Sequence, residues 1–193
     1  KNISNCYPNL KEHIEFTINP LCQTIRNWCE DHWPPEIRLH EDLEPEYRTL
    51  SPSDFGFHNA LRRPDGRLAF LDFEYFGWDD PAKMVSDFLL HPAMELNPKM
   101  KTRFVGNMAG SLKKDPAFAE RLETVFPLFG LKWCLILLNA FLPQYRQQRG
   151  HSDAELSGIL ENQLEKARLM LSTVESGYER FPYRDEENTV NVN

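Results

Sequence analysis

The stretch from Ser51 to Asp87 (SPSDFGFHNALRRPDGRLAFLDFEYFGWDDPAKMVSD) places Asp54 five residues before Asn59, and a third oxygen ligand, Asp72, closes an apolar run 13 residues later. Asp, Asn and Asp at this spacing are what magnesium-dependent phosphoryl transfer asks of a protein. One carboxylate aligns and deprotonates an attacking hydroxyl, while an amide oxygen and a second carboxylate hold the hard cation that bridges nucleotide phosphates. Taken singly, an Asp after an apolar strand is ordinarily a turn residue or a helix cap, and Asp65 reads that way. Three oxygen ligands around one turn form a more specific pattern.

The elements that must position them follow from local chemistry. His58 to Arg62 and Arg67 to Asp72 are strand-length segments, and Arg63-Pro64-Asp65-Gly66 between them is a turn signal. Pro presets φ and Gly tolerates positive φ. An antiparallel hairpin would bring its entrance, Asn59, beside its exit, Asp72, so that both share one ion. Asp80-Pro81 then reads as a helix start, with Asp at the N-cap and Pro at the first helical position. That helix runs through Val85, Phe88 and Leu89 and carries Asp87.

Asp54-Phe55-Gly56 also spells the magnesium-binding tripeptide of protein kinases. That register requires an upstream Asp with an Asn five residues later, and Asp42 is followed at that distance by Tyr47. In the other register, Asp54, Asn59, Asp72, Glu74, Trp78-Asp79-Asp80-Pro81 and Asp87 resemble the aminoglycoside phosphotransferase and choline kinase family, small-molecule kinases with a protein-kinase-like fold. The resemblance implies Asp54 as catalytic base, Asn59 and Asp72 as magnesium ligands that bind the ATP phosphates, and Asp80 and Asp87 as structural supports. His58 and Glu74 fall beside these ligands as supporting groups. The family usually has His-Gly before the catalytic Asp, where this chain has Pro52-Ser53; that departure puts the loop geometry in question more than the reaction.

The fold class expected is α+β, predominantly helical: the C-terminal lobe of a kinase-like fold over residues 1–181, with a small hairpin carrying the site and a loose polar tail at 182–193. The N-terminal nucleotide lobe of such kinases needs a glycine-bearing loop and a strand lysine, and no Gly occurs before Ser51. That lobe is therefore expected to lie outside this chain. The first 50 residues instead show a helix near Leu21 to Trp33, with Leu21, Ile25, Trp28 and Cys29 on one face and Pro34-Pro35 at its end. Downstream, helices are expected at Pro98 to Leu112 and Asp115 to Phe126. Leu131 to Leu142, apolar on nearly all sides, reads as a central buried helix; bounded by Pro127 and Pro143, it is too short for a membrane crossing of about 20 residues. Ser152 with Glu155 forms a capping box. It opens a long amphipathic helix whose stripe is Leu156, Leu160, Leu164, Ala167, Leu171 and Val174.

Composition sets limits. With 22 basic and 29 acidic residues the net charge is −7, with no basic stripe, which argues against a nucleic-acid partner. An acidic lobe suits a cationic acceptor, although many cytoplasmic proteins are as acidic. Cys6, Cys22, Cys29 and Cys134 form no C-x-x-C pair and read as free thiols of a cytoplasmic protein. His32, His40, His91 and His151 show no metal-ligand spacing, and no G-x-S-x-G elbow suggests a hydrolase. Tyr75, Phe76 and Trp78 read as core or as a wall of the acceptor pocket. The functional expectation is an ATP- and Mg2+-dependent phosphotransferase acting on a small-molecule hydroxyl. The alternative is a catalytically inactive kinase-like binding module. A protein kinase fits less well, because no activation segment separates the hairpin from Asp80-Pro81.

Overall fold

Pro81 is preset for the first helical position and the Asp80 carboxylate accepts the Ala82 amide at 2.7 Å, so the chain turns into helix α3 (Pro81–Leu90) where its chemistry dictates. Asn97 caps α4 (Pro98–Ser111) in the same way, taking the Met100 amide at 2.9 Å. The computed structural model describes residues 8–143 and 153–184. The protein is mostly helical with small two-stranded sheets. The chain divides into two units, one of Lys1–Asp31 with Gly130–Glu179 and one of His32–Phe129 with Arg180–Asn193.

The second unit carries both sheets. Strands β1 (Thr49–Ser51) and β4 (Gly77–Asp79) pair antiparallel, as do β2 (Ala60–Arg62) and β3 (Leu68–Phe70). The β2–β3 hairpin is the one the sequence predicts. Gly66 sits at φ +83°, its amide reaches the Arg63 carbonyl at 2.9 Å, and Ala60 lies opposite Phe70. Helix α3 supplies Ala82, Val85, Phe88 and Leu89 to the core, where they meet Met94 and, from α5 (Phe118–Leu138), Phe118 and Leu122. Tyr183 and Arg184, at the start of the expected loose tail, are held in this unit. Tyr183 packs edge-on against Phe126, and Arg184 pairs with Glu123. The rest of that tail lies outside the described residues.

Helix α5 departs from expectation. Two helices divided at Pro127 were expected, yet α5 runs through Pro127 without a break. A proline in a helix interior costs ~3 kcal/mol through its missing N–H and its ring clash. Pro127 is itself buried, and Leu122 on one side and Leu131 on the other are buried too. The apolar area removed from water exceeds that penalty, at ~1.5–3 kcal/mol for each such side chain. Nor is the Leu131–Leu142 segment buried all round, since Leu135 and Ile136 are exposed. Continued to Phe141, the helix is, among the described residues, the one long and apolar enough by length and composition to cross a membrane, which corrects the expectation that it is too short. The core helix of a folded domain meets the same criterion, and this one packs Leu122, Leu131 and Cys134 into protein.

In the first unit, α1 (Pro8–His13), a π-helical turn (Ile14–Ile18) and α2 (Asn19–Asp31) follow one another, with His13 and Asn19 both in right-handed helical conformation. The helix therefore starts well before the Leu21 expected. Pro20 has no amide to give the preceding turn, and the wider π turn closes instead through the Asn19 amide on the Ile14 carbonyl. Helix α6 (Asp153–Gly177) buries Leu160, Ala167, Leu171 and Val174 of the stripe read from its spacing, and leaves Leu156 and Leu164 half-buried. The capping box at Ser152 lies outside the described residues. Burial pushes the thiols of Cys29 and Cys134 up to about 12, so both are inert at neutral pH.

The charged centre of the second unit is Arg121, whose side chain is 1% exposed. Its Nε and Nη2 donate to Asp80 at 2.8 and 3.1 Å, and Nη2 and Nη1 donate to Asp115 at 2.6 and 3.3 Å. Burial works against its charge most strongly, but the hydrogen bonds and charges of Asp115 and Asp80 offset it and raise the guanidinium pKa. Arg121→Met would leave Asp80 and Asp115 without their cation. Urea unfolding should register a loss of about 3–5 kcal/mol; a change under about 1 kcal/mol would show that the network is dispensable. In the first unit, a Cβ on Gly130 would lie 2.4 Å from Val174 Cγ2. Gly130→Ala should therefore destabilise by about 1–3 kcal/mol through overpacking.

Candidate active site

Asp54 sits in the loop after β1, and three features hold that loop. Phe55 stacks on Phe88 of α3 at 5.2 Å and on Phe70 of β3 at 5.3 Å. The Phe57 amide points at Met94 Sδ, 3.2 Å away. Ser53 adopts φ +67°, its amide donating to Ser51 Oγ at 3.0 Å. Left-handed backbone at a non-glycine residue costs energy and persists only where its surroundings enforce it.

The loop returns Asn59 to Asp54. Asn59 Nδ2 donates to the Asp54 carbonyl at 3.0 Å and to its Oδ2 at 3.2 Å. His58 Nε2 lies 2.9 Å from Asp54 Oδ1, so both carboxylate oxygens are engaged by neighbours on the same loop. The Leu71 amide donates to the Asn59 carbonyl at 2.8 Å, extending the β2–β3 ladder by one step. That bond sets Asp72 directly beyond the residue paired with Asn59. Asp72 has φ +60°, is exposed, and its carboxylate makes no hydrogen bond or ion pair with any described residue. Glu74 is also exposed, in the turn closed by the Phe76 amide on the Phe73 carbonyl, and its carboxylate is likewise unengaged among the described residues.

The two structural acids have separate partners. Asp80 caps α3 and binds Arg121, while Asp87, 6% exposed, faces Lys83 at 3.7 Å. Lys83 Nζ also pairs with Asp79 and reaches Ser53 Oγ at 3.3 Å. Asp87 thus braces the residue before Asp54 through a lysine that sequence reasoning passed over. Its signal was there: Lys83 and Asp87 are spaced by four, the interval at which helical side chains meet.

His91 was missed as well. The turn after α3 stacks its ring on that of His58, with centroids 4.0 Å apart and planes 5° from parallel. Its Nε2 comes to 3.9 Å from Asp54 Oδ1. Asp54, His58 and His91 offer three ligand atoms within 4.8 Å of one another. No sequence spacing predicts this group, because His91 is 33 residues from His58 and only the packing of α3 joins them. Near β4, a separate pocket of 310 Å³ is lined by Trp33, Asp42, Arg48, Trp78, Asp79 and Arg121. Trp78, one of the aromatics following Asp72, thus walls a concavity and leaves the core.

No family model, no curated protein and no solved structure matches this chain.

Burial and, secondarily, the neighbouring His58 lower the pKa of His91 below the ordinary 6.5, although the charges of Asp54 and Asp87 act the other way. The unfolded chain therefore takes up this proton first as pH falls. The stabilisation is complete above 6.5 and is lost as pH descends toward the folded value. Unfolding free energies measured between about pH 8 and about pH 5 should decline on the acid side, and less steeply in His91→Phe; identical slopes would exclude His91 as a contributor.

Proposed function

We propose that this chain contributes the catalytic half of an ATP- and Mg2+-dependent phosphotransferase that acts on a hydroxyl of a small molecule. The observation that carries the reading is the closure of Asn59 onto Asp54, while the Asn59 carbonyl accepts the amide of Leu71, the residue before Asp72. Asp54 receives the acceptor's proton on its carboxylate as the acceptor oxygen bonds to the γ-phosphorus, and the bond to the bridging oxygen breaks to release ADP. Holding these groups in place is most of what such chemistry requires.

The residues fit a magnesium ion. Asn59 uses its Nδ2 on Asp54, which leaves its amide oxygen for a cation, and the Asp72 carboxylate is exposed and unengaged. Both are hard oxygen donors. Asn59 and Asp72 would hold the ion, whose chemistry is to neutralise charge on the phosphates. Glu74, two residues after Asp72, offers a further exposed carboxylate as a supporting group.

Two further features support the reading. Where the family resemblance expects a glycine before the base, Ser53 adopts the left-handed conformation that glycine takes freely. Nine of the fifteen exposed large apolar residues among those described fall between Leu50 and Trp78, around the site. Apolar surface concentrated in this way marks a face that another element covers, as a nucleotide lobe would cover it.

Residues 8–31 are helical and no Gly precedes Ser51, so no described element resembles a glycine loop on a sheet. A second reading, a kinase-like binding module without catalysis, is favoured by Pro52-Ser53 standing where the family has His-Gly before its catalytic Asp. One assay separates them: a panel of hydroxyl-bearing acceptors tested with ATP and Mg2+ on the full-length protein. Phosphoryl transfer should appear and should fall by about 10²–10⁴-fold in Asp54→Ala and in Asp72→Ala. Transfer in which both variants match the parent would sink the site assignment. No transfer to any acceptor would favour the module.

A further inference from the structure

The histidine pair beside Asp54 has chemistry of its own. An ionised carboxylate offers only lone pairs, so His58 Nε2, 2.9 Å from Asp54 Oδ1, must carry the proton between them. The His91 tautomer is fixed from the other side. The Ala93 amide donates to His91 Nδ1 at 3.0 Å, so that nitrogen presents its lone pair and the proton of the neutral ring sits on Nε2. His91 therefore turns an N–H, not a lone pair, toward Asp54.

This decides between two uses of the cluster. Three ligand atoms within 4.8 Å invite a transition metal. A metal needs an imidazole lone pair, however, and one nitrogen of His91 is taken by the Ala93 amide while the other holds the proton. The stack adds a second objection. Imidazole lone pairs lie in the ring planes, and two rings 4.0 Å apart and 5° from parallel do not direct both at one ion. Hydrogen-bonding geometry is what remains.

We infer that His58 and His91 form a clamp on the proposed base: His58 holds Asp54 Oδ1, Asn59 holds Oδ2, and His91 is a positioning residue that fixes the His58 ring by stacking on it. Gly56 is part of the same device. A Cβ there would lie 2.5 Å from His58 Cε1 and 2.6 Å from Nδ1, so the ring occupies space that only glycine leaves open. The lowered pKa of His91 keeps it neutral near pH 7, which a stacked pair requires if the two rings are not to repel as cations. With both oxygens restrained, the carboxylate meets the acceptor hydroxyl in one orientation. The catalytic consequence rests on the phosphotransferase reading, but the clamp itself does not.

The test has two arms. Nitrogen NMR of the histidine-labelled chain at mildly alkaline pH should find the proton on Nε2 of both His58 and His91, with the His58 signal displaced in Asp54→Ala. A proton on Nδ1 of His91 would overturn the clamp, as would stoichiometric Zn2+ binding that disappears in His91→Gln. In the full-length enzyme, with any acceptor from the panel, His58→Ala should lower kcat about a hundredfold with KM changed less than about twofold. His58→Gln, whose amide donates in the same place, should recover part of the loss. His91→Ala should lose about tenfold in kcat and His91→Phe, which keeps a ring in the stack, less. If His58→Gln is no better than His58→Ala, or the losses appear in KM alone, the clamp fails while phosphotransfer stands. If nothing is phosphorylated, the functional reading fails and the tautomers still decide the clamp.

Discussion

A single guanidinium, Arg121, joins the starts of two helices. Asp80 caps α3 and Asp115 receives the Ala117 amide ahead of α5, and both carboxylates accept from Arg121 on both of their oxygens. Carboxylates at helix N-termini are favoured by the helix dipole, but a half-buried Asp80 and a buried Asp115 sharing one site repel. A buried arginine is costly to desolvate, and its planar fork can satisfy two carboxylates at once. Each group makes the others tolerable. Through it the end of β4, the start of α3 and the first turn of α5 are fixed together, and the apolar core of Val85, Phe88, Leu89, Phe118 and Leu122 closes over them.

The candidate site hangs from that frame. Phe88 of α3 receives Phe55, the neighbour of Asp54, and the same helix presents Lys83 to Ser53 and delivers His91 to His58. Asp54 is thus set from both sides by a rigid helix while it remains exposed to solvent. Ser53 and Asp72, the two non-glycine residues of the site in left-handed conformation, sit beside Asp54 and at the hairpin exit. Strain of this kind is retained where packing enforces it, and here it falls next to Asp54 and at Asp72 itself. The exposed aromatics around them are the other side of the same design: side chains facing inward anchor the loop, and those facing outward leave an apolar rim.

Much of this was legible in the sequence because it is local. The turn at Pro64–Gly66, the cap at Asp80, the β2–β3 pairing that brings Asn59 to Leu71, the residue before Asp72, and the stripe of α6 each depend on residues a few positions apart. The conformations available to Pro, Gly and Asp, and the helical period, settle such features without long-range contacts. The continuity of α5 through Pro127 was not legible, since local propensity there opposes the outcome and burial along both halves of the helix overrides it. Nothing in the local sequence marks Arg121 as buried, and His91 shows no metal-ligand spacing with any other histidine.

The sequence alone determined which groups are available for chemistry and roughly which turn presents them: Asp54, Asn59 and Asp72, with Asp80 opening a helix. Only the tertiary structure decided how Asp54 is held. The partners that hold it, His91 on His58 and Lys83 on Ser53, come from α3 and the turn after it, far along the chain, and a contact between distant residues has no signature in spacing. It exists because burying Phe88 beside Phe55 releases apolar surface from water, and the helix brings its polar side chains with it.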